Sequence, residues 1–378
     1  MRITIVLGAF LPVPPVLGGA VEKVQLLLAD AYLEAGHDVT VISRRYKNFP
    51  DEETVKGVKY LRVGSFERSK SLAVNLILTS LYALRVARCL PKSDITVTNT
   101  FLLPMLLNRR TAGKIYVHIA RFPKHQMFLY FRADRLQAVS HVVAEEIVRQ
   151  TPHLSNKVVT IGNPVSSSYF TLNPIQQRKK VVLFVGRIAR EKGVHLLIES
   201  FVSMVKHWDQ FNISEWSLRI VGPHDVAQGG DGPEYLSELV RLAQPLGSSC
   251  SFVGPIFEER ALIKEYQAAS IFVYPSLAEK GEAFGLAPLE AMAAGCAVVV
   301  SNLQCFNEYV EEGRNALKFE HSGPSPEESL AGKLTLLMAA PQSIVQIARN
   351  GNIAARRFEA SAIASKMLRD FELLVSGS

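Results

Sequence analysis

Apolar residues along this chain fall into short unbroken runs, separated by stretches with helical spacing and by Gly/Pro-rich loops. Residues 2–8 form a β-branched run suited to a strand covered on both faces. A Pro/Gly-rich loop follows, then a helix predicted over 20–35 with Gly36 as its C-cap, then a strand over 38–43. This strand–loop–helix–strand opening is the repeating unit of a doubly wound sheet. Further buried strands are predicted at 95–98, 114–119, 136–140 and 158–161. The apolar stretch 72–90 is interrupted by Asn75, Arg85 and Arg88, so it reads as a domain helix and not a membrane span.

Residues 163–180 carry Pro164, Pro174 and a polar run, the pattern of a linker. Beyond it the rhythm restarts. Strands are predicted at 181–185, 218–221, 251–253, 271–274 and 297–301, with helices at 194–207, 235–246 and 259–268. A last helical pattern, 361–375, closes the chain. Two successive α/β series imply two facing Rossmann-like domains, with a ligand crevice at the carboxyl ends of the strands. The length, 378 residues, also favours two domains.

Composition changes this picture little. The four cysteines are scattered without a paired spacing, which reads as packing thiols in a reducing compartment. The start of the chain lacks a small-residue cleavage site and reads as a first strand. Charge is more informative. Residues 1–170 hold 22 Lys/Arg against 12 Asp/Glu, although the whole chain is only +7. A basic first half suits phosphate-bearing partners or an acidic membrane surface. No nucleic-acid-binding motif accompanies it, so nucleic acid is not expected as a partner.

Three constellations carry candidate chemistry. Glu282 and Glu290 straddle a predicted loop-to-helix junction, with Phe284, Gly285 and Leu286 between them and Pro288 as a helix starter. Backbone N–H groups gather at such a junction, and each carboxylate accepts hydroxyl hydrogen bonds from a sugar or ribose. Arg187 and Lys192 flank the turn after the strand at 181–185 and could neutralise a diphosphate without a metal. Gly18 and Gly19 permit close approach of a ligand to the backbone before the first helix. His118 ends a predicted strand, from which its side chain is expected to project into the crevice. No metal-ligand cluster is evident, and no metal or cofactor is expected.

The segment EAFGLAPLEAMAAG around Glu282 and Glu290 resembles the signature of retaining glycosyltransferases of family 4, which have the GT-B fold. GGAVEKVQLLLADAYLEAGHDVTVIS, LQAVSHVVAEEI, VVLFVGRIAREKGVHLLIESF and FVGPIFEERALIKEYQAASIFVYPS are similar to the family's other segments, in the same order. The resemblance implies residues 1–168 with 358–378 as an acceptor-binding domain, and 169–357 as a donor-binding domain. It implies that Arg187, Lys192 and the Gly18–Gly19 loop hold the donor diphosphate, Glu290 the ribose, and the backbone at Ile256 the base. Glu282, Phe284, Gly285 and Leu286 would bind the donor sugar, reached also by His118. The implied reaction is metal-independent, retaining transfer from a nucleotide sugar, with UDP-glucose as first choice, to a glycan or lipid-linked glycan. The implied setting is the cytoplasm, with peripheral association at the inner face of the membrane through the basic half. One departure stands out: Leu303 to Glu308 replaces a Gly-Gly loop of the family with bulkier residues. Two other readings share the architecture: a sugar-nucleotide epimerase, and a non-catalytic nucleotide-sugar-binding subunit. A dinucleotide-dependent dehydrogenase is disfavoured by the missing glycine fingerprint.

Overall fold

A computed structural model describes residues 1–170, 178–205 and 215–377. The middle of the expected linker, and the end of the helix expected over 194–207, lie outside the described residues. The chain divides into two compact units. One comprises Met1–Pro164 with Phe358–Ser378, the other Val165–Arg357. The first boundary therefore falls four residues before the one drawn from sequence.

The first unit is built on eight strands: β1 (Arg2–Val6), β2 (Asp38–Arg44), β3 (Glu52–Val55), β4 (Val58–Val63), β5 (Ile95–Thr98), β6 (Lys114–Ile119), β7 (Arg135–Ala138) and β8 (Val158–Thr160). Their order in the sheet is β3-β4-β2-β1-β5-β6-β7-β8. All neighbours are parallel except β3 and β4, which form an antiparallel hairpin that the sequence pattern did not suggest. Its two-residue turn is Lys56-Gly57, both at positive φ, the conformation that matches strand twist in tight hairpins. The hairpin escaped detection because β3 is mostly exposed and begins with two glutamates, so no apolar alternation marks it.

The second unit holds β9 (Lys179–Val185), β10 (Ser217–Val221), β11 (Cys250–Gly254), β12 (Ala269–Tyr274), β13 (Ala297–Ser301) and β14 (Leu317–Phe319) in one parallel sheet, ordered β11-β10-β9-β12-β13-β14. Strand order reverses between β9 and β12, and in such sheets ligands gather at the carboxyl ends of the strands flanking the reversal. In the first unit the corresponding point lies between β1 and β5. The helix expected over 235–246 instead spans Gly232–Leu242, because Pro233 fits its first turn and Pro245 lies beyond its end.

The final helix, Ala360–Ser376, packs on the first unit. Phe371 is fully buried, edge-on to Tyr32 and Tyr116 at 5.7 and 4.8 Å. The Tyr32 hydroxyl donates to the Met367 sulfur at 3.1 Å, and Arg135 pairs with Asp370 at 2.7 Å. These contacts join residues more than two hundred positions apart in sequence. Replacing Phe371 with Ala is expected to lower unfolding free energy by about 3–5 kcal/mol. Leu373→Ala, at a position 54% exposed on the same helix, should change it by no more than about 0.5 kcal/mol. Denaturant melts of both variants check the contrast, and equal losses would refute this docking.

Candidate functional site

The reversal point of the second sheet gathers most of the expected site residues. After β9 the chain makes a short 3-10 turn, Arg190–Lys192, closed by Gly193 at φ 67°. A Cβ at position 193 would lie 1.9 Å from the carbonyl oxygen of Pro275, so only glycine lets this turn press on the segment leaving β12. The backbone N–H of Leu277 donates to the Glu191 carbonyl at 2.8 Å and fixes the approach.

This contact carries Lys192 to Glu282. Their Nζ and Oε2 atoms are 2.6 Å apart, and the two side chains are only 7% and 10% exposed. The Ser276 hydroxyl donates to the same carboxylate oxygen at 3.3 Å, and the Lys192 ammonium lies 5.4 Å from the centre of the Tyr274 ring. Burial opposes the charge on Lys192, but Tyr274 and Glu282 outweigh it and hold the ammonium above its ordinary range. A fixed cation beside a fixed carboxylate can receive a phosphate oxygen and a hydroxyl together.

Arg187 lies at the rim of this arrangement, about half-exposed. Its guanidinium pairs with Glu191 at 2.7 Å and donates to the Gly229 carbonyl at 2.5 Å. Gly186 and Gly222 bring β9 and β10 together here, since a Cβ on Gly222 would meet the Gly186 carbonyl at 1.7 Å. Ile256 sits half-exposed in the loop after β11, again beyond a strand's carboxyl end.

The helix between β12 and β13 spans Leu286–Ala293. It begins two residues before Pro288 because Gly285, at φ 77°, serves as its N-cap without a capping side chain. A Cβ there would meet the Phe306 ring at 2.4 Å and the Tyr309 hydroxyl at 3.1 Å. Tyr309 donates to the carbonyls of Gly285 and Phe284, at 2.6 and 3.2 Å, and so clamps the loop before the helix. Phe284 is buried against the Tyr309 ring. Glu290, the fifth residue of the helix, is buried and accepts the Tyr266 hydroxyl at 3.1 Å.

The bulky segment 303–308 has a visible role. Phe306 is fully buried beneath Gly285, 6.2 Å from the Tyr274 ring, and Cys305 is buried beside it with its thiol pushed up by burial. Phe306 and Tyr309 thus form an aromatic base under the loop, which explains the departure from a Gly-Gly sequence. Glu308 ends the 3-10 turn Gln304–Glu308, half-buried.

In the first unit, Gly18 and Gly19 have φ of 77° and 120° and precede the helix Ala20–Glu34. A Cβ on Gly19 would lie 2.4 Å from the Glu22 Oε2, so this buried carboxylate folds back over the helix start. Burial raises the Glu22 pKa. His118 lies within β6 with its ring buried, 3% exposed, instead of projecting into an open crevice. Its register partner on β7 is Gln137. The Gln137 amide nitrogen donates to the Ile161 carbonyl, which turns its oxygen toward His118 Nδ1. That orientation assigns the proton to Nδ1 and leaves Nε2 as an acceptor, buried and without a partner among the described residues. Burial lowers the His118 pKa to about 4, against the hydrogen bond its Nδ1–H donates to the Gln137 oxygen.

Residues 168–353 match the sequence profile of the family described as glycosyl transferases group 1. The second unit, in which this segment lies, carries that family's profile. The serotype-specific mannosyltransferase WbdA of Escherichia coli is 28% identical over 223 residues, 55% of this chain and 25% of WbdA. The chain thus matches about a quarter of that relative's length. The phosphatidyl-myo-inositol mannosyltransferase of Mycobacterium tuberculosis is 29% identical over 252 residues, 64% of this chain and 61% of the relative. Among solved structures, Anabaena HepE in complex with UDP and glucose gives a TM-score of 0.73 at 17% identity, covering 98% of this chain and 99% of that one. The fold is GT-B, with two parallel-sheet α/β units.

Within the second unit, sequence reasoning named the charged candidates but not what holds them. Tyr274, Ser276 and Tyr309 were not singled out, because single aromatic or serine residues carry no distinctive spacing, while Phe306 was noted only within the bulky segment 303–308 and Gly193 only beside Lys192. Gly193 alone had a local signal, a Lys-Gly pair closing a turn before a helix.

Two outcomes follow from these contacts. Glu282→Gln, which leaves the Lys192 ammonium buried without its counter-charge, is expected to cost about 3–5 kcal/mol of stability. The Lys192→Met/Glu282→Met double variant should lose much less than the sum of its singles, as a double-mutant cycle in urea would show. For His118, the unfolded chain binds more protons between about pH 6.5 and pH 4. Stability should therefore fall as pH drops through that window and stay level above it. His118→Gln should flatten this stretch of the pH–stability curve, and an unchanged slope would refute the buried neutral imidazole.

Proposed function

We propose that the chain is a retaining, metal-independent glycosyltransferase of family 4, transferring a hexose from a nucleotide sugar to a hydroxyl of a glycan or lipid-linked glycan. The observation that carries this reading is the Lys192–Glu282 pair at the reversal point of the second sheet, beside the glycine-capped helix. Lys192 and Arg187 take the diphosphate oxygens, and the Gly18–Gly19 loop assists. Glu282, with the backbone at Phe284, Gly285 and Leu286, receives the sugar hydroxyls. Glu290 serves the ribose and Ile256 the base.

The chemistry follows from charge. As the bond from sugar C1 to the diphosphate breaks, negative charge grows on the departing oxygen and C1 becomes oxocarbenium-like. Cations already held in place stabilise that leaving charge without reorganising. The acceptor oxygen bonds to C1 on the same face, and its proton passes to the departing phosphate. Exclusion of water lets the acceptor compete with hydrolysis. Phosphate neutralisation by two side-chain cations is the reason no metal is invoked.

The donor has two supported candidates. HepE is described with UDP and glucose, and the two curated relatives are named mannosyltransferases. An epimerase gains no support from those names. A lipid-linked acceptor is in keeping with the phosphatidyl-myo-inositol mannosyltransferase, and with a cytoplasmic protein lying at the inner face of the membrane.

The test mixes the full chain with UDP-glucose and with uridine and guanosine diphosphate mannose, and follows nucleotide release. Release from at least one donor is expected, with anomeric configuration retained in the product. Lys192→Ala should lower kcat by about 10²–10³-fold. Parental activity in both Lys192→Ala and Glu282→Ala would sink the site assignment, and conversion of the sugar nucleotide without acceptor would favour an epimerase.

A further inference from the structure

We propose that the helix Leu72–Cys89 is a docking element through which the first unit lies on an anionic lipid bilayer. The inference deepens the peripheral-membrane reading given above by naming the surface that makes the contact.

The helix is long and apolar enough to cross a membrane by length and composition, yet only 17% of it is buried in the protein. Its inward face is narrow, consisting of Tyr82, Ala83 and Val86. The outward face carries Leu76, Ile77, Leu81 and Leu84, which are 39–60% exposed, and Leu72 at its start is 82% exposed. Positions 77, 81, 84 and 88 follow one another by four, three and four residues, so they share one side of the helix. Arg88 thus extends the apolar stripe with a cation. A soluble helix is expected to place such a stripe against a core, and this one turns it outward.

The apolar surface continues beyond the helix. Leu84 and Ser80 line a pocket with Leu102, Met105 and Leu106, so four of its five lining residues are apolar. The short helix Leu103–Leu106 in turn packs near the turn Met127–Tyr130, where Phe128 and the following Phe131 are 62% and 52% exposed. Exposed aromatic residues beside exposed leucines suit the interface between lipid headgroups and acyl chains.

Charge decides what covers this surface. Residues 68–132, which include all these positions, contain eleven Lys/Arg and one acid, Asp94. Asp94 is already paired with Arg2 at 2.6 Å. Lys70 before the helix, Arg88 at its end, Lys92 after it, and Arg110 are all exposed. A second copy of the same surface would set like charges against each other. An anionic bilayer satisfies both features, since leucines enter the acyl boundary while the basic side chains reach phosphate.

The experiment uses the full chain and sedimentation with vesicles of phosphatidylcholine, with and without about one-third phosphatidylglycerol. The chain is expected to sediment with the anionic vesicles, weakly with the neutral ones, and less as salt rises. Ile77→Glu/Leu81→Glu should lower binding about tenfold or more, because two apolar side chains no longer enter the boundary. Its thermal midpoint and nucleotide release should match the parent. Leu373→Glu, another exposed apolar position, should bind as the parent does.

Parental binding by the Ile77→Glu/Leu81→Glu variant would overturn the helix assignment while leaving membrane association standing. Absence of binding to any vesicle would overturn both. A parent that is dimeric in solution, and becomes monomeric in the same variant, would show that a second copy covers the face, and would also overturn the proposal.

Discussion

A buried ion pair is a costly object, and the candidate site of this protein is arranged around one. Taking Lys192 and Glu282 out of water is repaid only if the two charges meet at hydrogen-bonding distance with further polar partners. Ser276 and Tyr274 supply those partners. The meeting depends on a backbone contact with no charge at all: Gly193 against the carbonyl of Pro275. Any side chain at position 193 would hold the turn away from β12, and the lysine would lose the carboxylate. An apolar pair would pack at lower cost, so two charges retained here mark the pair as a candidate for ligand contact.

The same logic runs through the neighbouring loop. Phe306 and Tyr309 occupy the volume beneath Gly285, and the Tyr309 hydroxyl ties the two carbonyls before the helix. The start of the helix is thereby fixed from below by packing and hydrogen bonding. Its carboxylate, Glu290, is fixed from a different element through Tyr266. Rigid support of this kind lets a site stabilise developing charge without moving during the reaction.

The first unit uses other means. His118 is kept neutral by burial and oriented by Gln137, which is itself oriented by a backbone carbonyl on the next strand connection. Glu22 folds over the helix start after Gly19, so a carboxylate of the chain already lies at the glycine loop. On the outside, the helix Leu72–Cys89 reverses the usual arrangement and shows its leucines to the surroundings.

Runs of β-branched residues fixed most strands at the sequence level, because a strand covered on both faces needs nothing but apolar side chains. The order of segments and the Glu282/Glu290 spacing singled out the charged candidates, since those are local features. The β3–β4 hairpin was not legible because the side chains of β3 are mostly exposed and no burial pattern marks that strand. The burial of His118, the outward face of the helix Leu72–Cys89, and the partners of Lys192 and Glu290 were not legible either. Each depends on which distant residue arrives beside it: Gln137 for His118, Glu282 for Lys192, Tyr266 for Glu290. Sequence spacing states what a residue can donate or accept, whereas the folded sheets alone decide whether water, a neighbour or a ligand answers it.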